Sequence, residues 1–132
     1  MNYLLDTPTC IWAVGKRAKL SNKVKNILQD SKNVFWISKI SLLEIAIKLK
    51  IGKLEEFNVP LSEFIQSLYI SGYLMLPVKD KHLETYSVFD FEETHRNSFD
   101  RYILATAMAE NFAIITKDEK FQFYRNRLEI IW

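Results

Sequence analysis

The sequence is poor in the residues that punctuate or staple a chain. Among its 132 residues are one cysteine, three glycines, three prolines and two histidines. A lone cysteine cannot form an intramolecular disulfide, so no disulfide framework holds this fold. Cys10 lies in the apolar stretch Cys10-Ile11-Trp12-Ala13-Val14 and reads as a small core residue, which suits a reducing compartment. That five-residue stretch is the longest unbroken apolar run, far short of the ~20 residues of a membrane span. No basic leader precedes a long apolar segment, so no signal peptide is expected. Few glycines and prolines mean regular elements with short joints, with no linker, internal repeat or low-complexity segment. An excess of either charge is lacking as well: 18 Lys and Arg nearly balance 16 Asp and Glu, the net charge is +2, and wholesale gripping of nucleic acid by charge is not demanded.

What is present is apolar and ordered. Hydrophobic residues make up 48% of the chain, enough to drive folding, and 132 residues are most simply one domain with its own core. Apolar runs at Tyr3-Leu4-Leu5, Val34-Phe35-Trp36-Ile37, Tyr73-Leu74-Met75-Leu76, Phe112-Ala113-Ile114-Ile115 and residues 128–131 read as buried strands. Between them lie helical patterns. One opens at Thr7-Pro8, with Thr7 read as cap and Pro8 as first helical residue. Others run over 22–29 after Ser21, over 41–50 up to Gly52, and from Val59-Pro60 to Gly72. A weaker one covers 79–88, one follows Asn97 to about Asn111, and a short one covers 119–124. Strand–helix alternation of this kind predicts a layered α/β fold with a mostly parallel sheet of four or five strands flanked by helices.

Four carboxylates fall at the joints. Asp6 directly follows the first strand and Asp118 follows the fourth by two residues. Glu44 and Asp100 are read in the first turns of helices, Glu44 in a capping-box pattern with Ser41. In a parallel sheet all four can lie at the carboxyl edge, where open α/β sheets bind ligands. Acids gathered there repel one another and resist desolvation. A Mg²⁺ or Mn²⁺ ion, which prefers oxygen ligands, relieves that repulsion. It also lowers the pKa of bound water and stabilises charge on a phosphoryl oxygen, so the chemistry implied is hydrolysis of a phosphodiester. Each acid also has an ordinary structural reading. The helix macrodipole favours acids in a first turn, Glu44 can pair with Lys48 at i,i+4, Asp100 with Arg96 or Arg101, and Asp118 can cap the helix after it. His82 and His95 are not spaced as a metal pair and read as solvent-facing. Lys16, Arg17, Lys19, Lys23 and Lys25 read as a solvated face.

Four stretches in order, Tyr3-Leu4-Leu5-Asp6-Thr7, Ser41-Leu42-Leu43-Glu44-Ile45-Ala46-Ile47-Lys48 running to Gly52-Lys53-Leu54, His95-Arg96-Asn97-Ser98-Phe99-Asp100-Arg101, and Ile114-Ile115-Thr116-Lys117-Asp118, resemble the PIN-domain family, and within it the VapC-like toxins of toxin–antitoxin pairs. The resemblance covers nearly the whole chain. It implies a single PIN domain over residues 1–132, a Mg²⁺- or Mn²⁺-dependent endoribonuclease, a homodimer, a cognate antitoxin partner, RNA as substrate, no membrane, and a cytoplasmic location. By the same carry-over, Asp6, Asp100 and Asp118 hold the metal, Glu44 helps hold it or orients the attacking water, and Thr116 supports the site. An antitoxin would lay a short amphipathic segment into an apolar groove. Two positions depart from the family pattern. Pro8 stands where many relatives have His, and Asn97-Ser98 where many have Asp-Pro; neither removes one of the four acids. Two other readings compete. A phosphatase using Asp6 as nucleophile is disfavoured, because Pro8 occupies the place of its second acid. A non-catalytic binding module keeping the fold is the other.

Overall fold

The computed structural model describes residues 1–55 and 57–132. Within these residues five strands form one sheet: β1 (Asn2–Leu5), β2 (Val34–Ser38), β3 (Leu74–Leu76), β4 (Ala113–Ile115) and β5 (Ile130–Ile131). Their order is β3-β2-β1-β4-β5 and every pairing is parallel. Among the described residues six α-helices connect them: α1 (Thr7–Gly15) and α2 (Asn22–Gln29), α3 (Lys39–Lys50) and α4 (Leu61–Ile70), α5 (Asp80–Val88) and α6 (Ser98–Glu110). Arg17–Lys19 and Glu119–Tyr124 are short 3₁₀ helices.

The apolar residues of these strands alternate between the two faces of the sheet. Tyr3, Leu5, Ile37, Ala113 and Ile115 face a core shared with Cys10, Ala13, Val24, Leu42, Ile45, Phe64 and Leu68, contributed by α1 to α4. Leu4, Leu76 and Ile114 face a second core with Ile103, Leu104 and Ala107 of α6, closed by Phe121 and Tyr124. The result is three layers, helices on both faces of the sheet. The chain steps outward from β1 to β2 to β3 with its helices on one face. It then crosses back to β4 through α5 and α6 on the other. Right-handed crossovers require this change of face when the direction of travel reverses. The reversal makes the β1–β4 boundary the topological switch point, where a crevice opens at the carboxyl edge.

The ends of the elements are set by local chemistry. Gly52, Gly72 and Asn111 all take positive φ, and each lets the next residue's N–H reach back to a helix carbonyl: Lys53 to Lys48, Tyr73 to Leu68, Phe112 to Ala107. This is the left-handed cap that Gly and Asn adopt most easily. Several boundaries differ from the sequence reading by a residue or two, and three of them have a clear local cause. Asp6, not Thr7, caps α1, and Pro8 is its second residue. α3 starts at Lys39 under Ser38, whose Oγ accepts from the Ile40 N–H at 3.1 Å. Ser41 and Glu44 therefore lie one turn deeper than a capping box would put them. β5 is shorter than residues 128–131, because Leu128 donates its N–H to the Tyr124 carbonyl in the preceding turn. Among the described residues no helix is long and apolar enough to cross a membrane.

Candidate active site

Asp6 leaves the end of β1 at the switch point. Its N–H continues the ladder to the Ile115 carbonyl at 3.2 Å, while its carbonyl accepts the first helical bond of α1, from Cys10 at 3.0 Å. The side chain is only 3% exposed. Oδ1 accepts from the Thr9 N–H at 3.0 Å and Oδ2 from the Thr116 hydroxyl. Burial raises the Asp6 carboxyl from its ordinary 3.8 to about 6, against the lowering effect of the Thr116 and Thr9 hydrogen bonds and with a further push from the Asp100 charge. Desolvation thus outweighs two good donors.

Thr116 joins two of the acids. Its hydroxyl donates to Asp6 and accepts from the Asp118 N–H at 3.0 Å. Asp118 is exposed and caps the following 3₁₀ helix, Oδ1 accepting from the Lys120 N–H at 3.0 Å. Asp100 lies in the first turn of α6, capped by Asn97, whose Oδ1 accepts from the N–H groups of Phe99 at 2.9 Å and Asp100 at 3.1 Å. Asn therefore performs the capping that Asp would perform there. Glu44 reaches in from α3 and is buried. Its Oε1 accepts from the Thr7 hydroxyl at 2.7 Å and its Oε2 pairs with Lys48 at 2.8 Å. The i,i+4 partnership legible in the sequence is present, but Ser41 instead lies against the Thr7 hydroxyl at 3.0 Å.

All four acids line one cleft of about 500 Å³, together with Pro8, Trp12, Lys48, Asn97 and Lys117. A neighbouring cleft of about 610 Å³ shares Pro8, Trp12 and Lys48 but contains none of the four acids. The chemistry therefore belongs to the smaller one. Lys19 and Lys117 sit 5.5 and 6.0 Å from the Trp12 ring centroid, which places positive charge at the mouth of an acidic hollow.

The two histidines are not where the sequence reading put them. Both are fully buried. His82 Nδ1 accepts from the Lys79 N–H at 3.2 Å, so the ring proton lies on Nε2, 3.2 Å from Glu110 Oε2. Nδ1 also lies 3.3 Å from the Tyr102 hydroxyl, and the carboxylate that Nε2 faces, Glu110, is at the opposite end of α6 from Asp100. His95 belongs to the site. One ligand atom each from His95, Asp100 and Asp118 lie within 4.8 Å of one another, and His95 Nε2 has no hydrogen-bond partner among the described residues. The only sequence signal for this was its place five residues before Asp100. Nothing local distinguishes a buried loop histidine from a solvated one.

The donor set fits a hard divalent cation. It is rich in carboxylate oxygen, one carboxyl is strained towards its neutral form by burial, and the exposed side near Asp118 leaves room for water and a phosphate.

The comparisons with known proteins agree with this geometry. The family model described as PIN domain matches residues 3–126. No curated protein matches the sequence. Among solved structures, the chain is similar to VapBC2 from Rickettsia felis bound to a DNA fragment from its promoter, with TM-score 0.69, 20% identity, and 100% of this chain and 99% of that one covered. It is similar to VapBC-1 from nontypeable Haemophilus influenzae, with TM-score 0.68, 20% identity and coverage of 98% and 96%. A third is VapBC-5 from Mycobacterium tuberculosis, of the VapBC family of toxin–antitoxin systems, with TM-score 0.59, 17% identity and coverage of 98% and 97%. At such identities the likeness is one of fold, and it runs from end to end. With a family model spanning nearly the whole chain and four acids on the cleft at its sheet's switch point, this chain belongs to the PIN-domain family.

Proposed function

We propose that this chain is a single-domain, metal-dependent endoribonuclease and the toxin of a toxin–antitoxin pair. The observation that carries the reading is the convergence of Asp6, Glu44, Asp100 and Asp118, from four separate elements, on one cleft. Support comes from membership of the PIN family and from end-to-end likeness to toxin–antitoxin complexes. In this reading Asp6, Asp100 and Asp118 hold Mg²⁺ or Mn²⁺. The ion, when bound, supplies positive charge for a phosphoryl oxygen and acidifies bound water.

The remaining work falls to the chain itself. Thr116 and the Thr9 N–H fix both oxygens of Asp6. Glu44, held by Thr7 and Lys48, orients the attacking water and takes up its proton. Lys48 and Lys117 at the rim draw the RNA backbone in through its phosphates, which position a substrate without reading its sequence. Restraint of the toxin by an antitoxin, assembly as a homodimer and action in the cytoplasm complete the proposal.

The test is cleavage by the purified, antitoxin-free protein of a broad RNA panel including structured tRNA and rRNA, in Mg²⁺, Mn²⁺ and EDTA, beside Asp100→Asn. Cleavage is expected with metal only, and at least about 100-fold slower in the variant, the scale on which removing one preorganised charge acts. No cleavage by a folded, metal-loaded protein would favour the non-catalytic module. Equal cleavage by Asp100→Asn would displace the site.

A further inference from the structure

His95 sits behind Asp100. Its side chain is 1% exposed, and its ring packs edge-on against Phe121, centroids 4.9 Å apart, and against Tyr124 at 5.6 Å. Nδ1 is 3.1 Å from the Tyr124 hydroxyl. Nε2 is buried, has no hydrogen-bond partner among the described residues, and lies 3.5 Å from Asp100 Oδ2. A buried polar atom without a partner is destabilising, so an imidazole kept in this place calls for a reason.

Its surroundings set the tautomer. The Tyr124 oxygen accepts from the Glu92 N–H at 3.0 Å, and its phenolic proton has His95 Nδ1, 3.1 Å away, as acceptor. With Nδ1 accepting, the ring proton lies on Nε2, facing Asp100. The other tautomer would turn a lone pair towards a carboxylate oxygen. The loop that carries His95 is tied down as well. Its N–H donates to the Glu92 carbonyl at 3.0 Å. Arg101, one residue after Asp100, donates from Nε to the His95 carbonyl and from Nη2 to the Glu92 carbonyl at 3.2 Å. The same guanidinium lies over the Phe91 ring at 5.1 Å.

We propose that His95 is a positioning residue: its Nε2–H, directed by Tyr124, holds Oδ2 of Asp100 and so fixes the carboxylate in the orientation that receives a divalent cation. A shift of a few tenths of an ångström turns the 3.5 Å approach into a charge-assisted hydrogen bond. Hard cations take oxygen before nitrogen, which puts the imidazole behind the carboxylate rather than on the ion. This inference rests on the metal-dependent reading above.

The experiment is Mn²⁺ binding to the full chain, followed by electron paramagnetic resonance, for wild type, His95→Phe, His95→Asn, His95→Gln and Tyr124→Phe. Thermal unfolding of each variant and the ¹⁴N couplings of bound Mn²⁺ are recorded alongside. Wild type is expected to bind Mn²⁺ without a directly coordinated nitrogen. His95→Phe should weaken binding by about 10- to 100-fold, the usual cost of losing such a supporting partner. His95→Gln, whose amide N–H reaches the Nε2 position, should recover most of it. His95→Asn, polar but too short, should not, and Tyr124→Phe should fall between. If His95→Phe does not fold, the contrast between Asn and Gln decides. Equal affinity across the His95 variants overturns the proposal and leaves a packing role. A strong ¹⁴N coupling lost in the variants overturns it in favour of direct ligation. Absence of Mn²⁺ binding by wild type overturns the metal-dependent reading itself, and this inference with it.

Discussion

The Asp6 carboxyl is buried at the start of a helix, where a hydrogen-bonded backbone favours its charge and exclusion of water opposes it. Opposition prevails, and the group is raised to about 6. The consequence for stability follows from proton linkage. Below about pH 4 the carboxyl is protonated folded and unfolded alike. As pH rises from there to about 6, the unfolded chain releases its proton while the folded one keeps it, so the folded state loses stability. Above 6 the full cost, about 3 kcal/mol by the shift, is present. Asp6→Asn removes the charge and keeps the cap. In EDTA at pH 7 the variant is expected to melt several degrees above wild type, with the gap closing towards pH 4. Calorimetry across that range checks it, and a variant that melts lower at pH 7 would show the carboxylate geometry mattering more than its charge. The location of Asp6 was legible in the sequence, because strand end and helix start are adjacent in the chain. Its state was not, because burial by distant parts of the chain sets it, and even the Thr116 hydroxyl that opposes the shift lies 110 residues away.

At the scale of the element, α6 carries a different task at each end. Its first turn presents Asp100 to the cleft; its last residue, Glu110, stands where the helix dipole disfavours an acid. Lys81, Lys79 and His82 of the neighbouring α5 region gather on it, with Lys79 Nζ 3.4 Å and His82 Nε2 3.2 Å from Oε2. Burial alone would raise this carboxyl; hydrogen bonds from Lys81, His82 and Lys79 outweigh it and hold it at about 2. A depressed folded value contributes stability that is present above the ordinary 4.5 and lost as pH falls towards 2. Glu110→Gln should cost about 1–3 kcal/mol in urea unfolding at pH 7, partly because His82 loses its charged acceptor. Metal binding at the other end of α6, about 15 Å away along the helix, should be unchanged. The sequence reading took His82 for a surface residue because its helix is weakly amphipathic. Its burial depends on a partner 28 residues on, which periodicity cannot register. The start of α3 was misread for a related reason: serines at 38 and 41 both suit a cap, and only the extension of β2 to Ser38 selects the first.

At the scale of the molecule, the parallel sheet does what no element does alone. It carries the ends of β1 and β4 and the starts of α1 and α6 to one edge, and lets α3 lean Glu44 into the same cleft. A folded chain that binds a cation there must be stabilised by it, by about 2.7 kcal/mol at 100 times the dissociation constant. The melting temperature is therefore expected to climb with Mg²⁺ or Mn²⁺ concentration, to fall back in EDTA, and to be insensitive in Asp100→Asn. A melting temperature unmoved by either ion at millimolar concentration would argue against a cation site in this cleft.

The class of the fold, its run of strands and the four candidate acids could be read along the chain, since each is written in neighbouring residues: apolar runs, caps, and carboxylates near them. The strand order, the switch point between β1 and β4, the raised pKa of Asp6, and the burial of His82 and His95 come from the folded molecule alone. Those depend on which distant residues meet, and a polar side chain is placed inside a protein by its partners rather than by its neighbours in the chain.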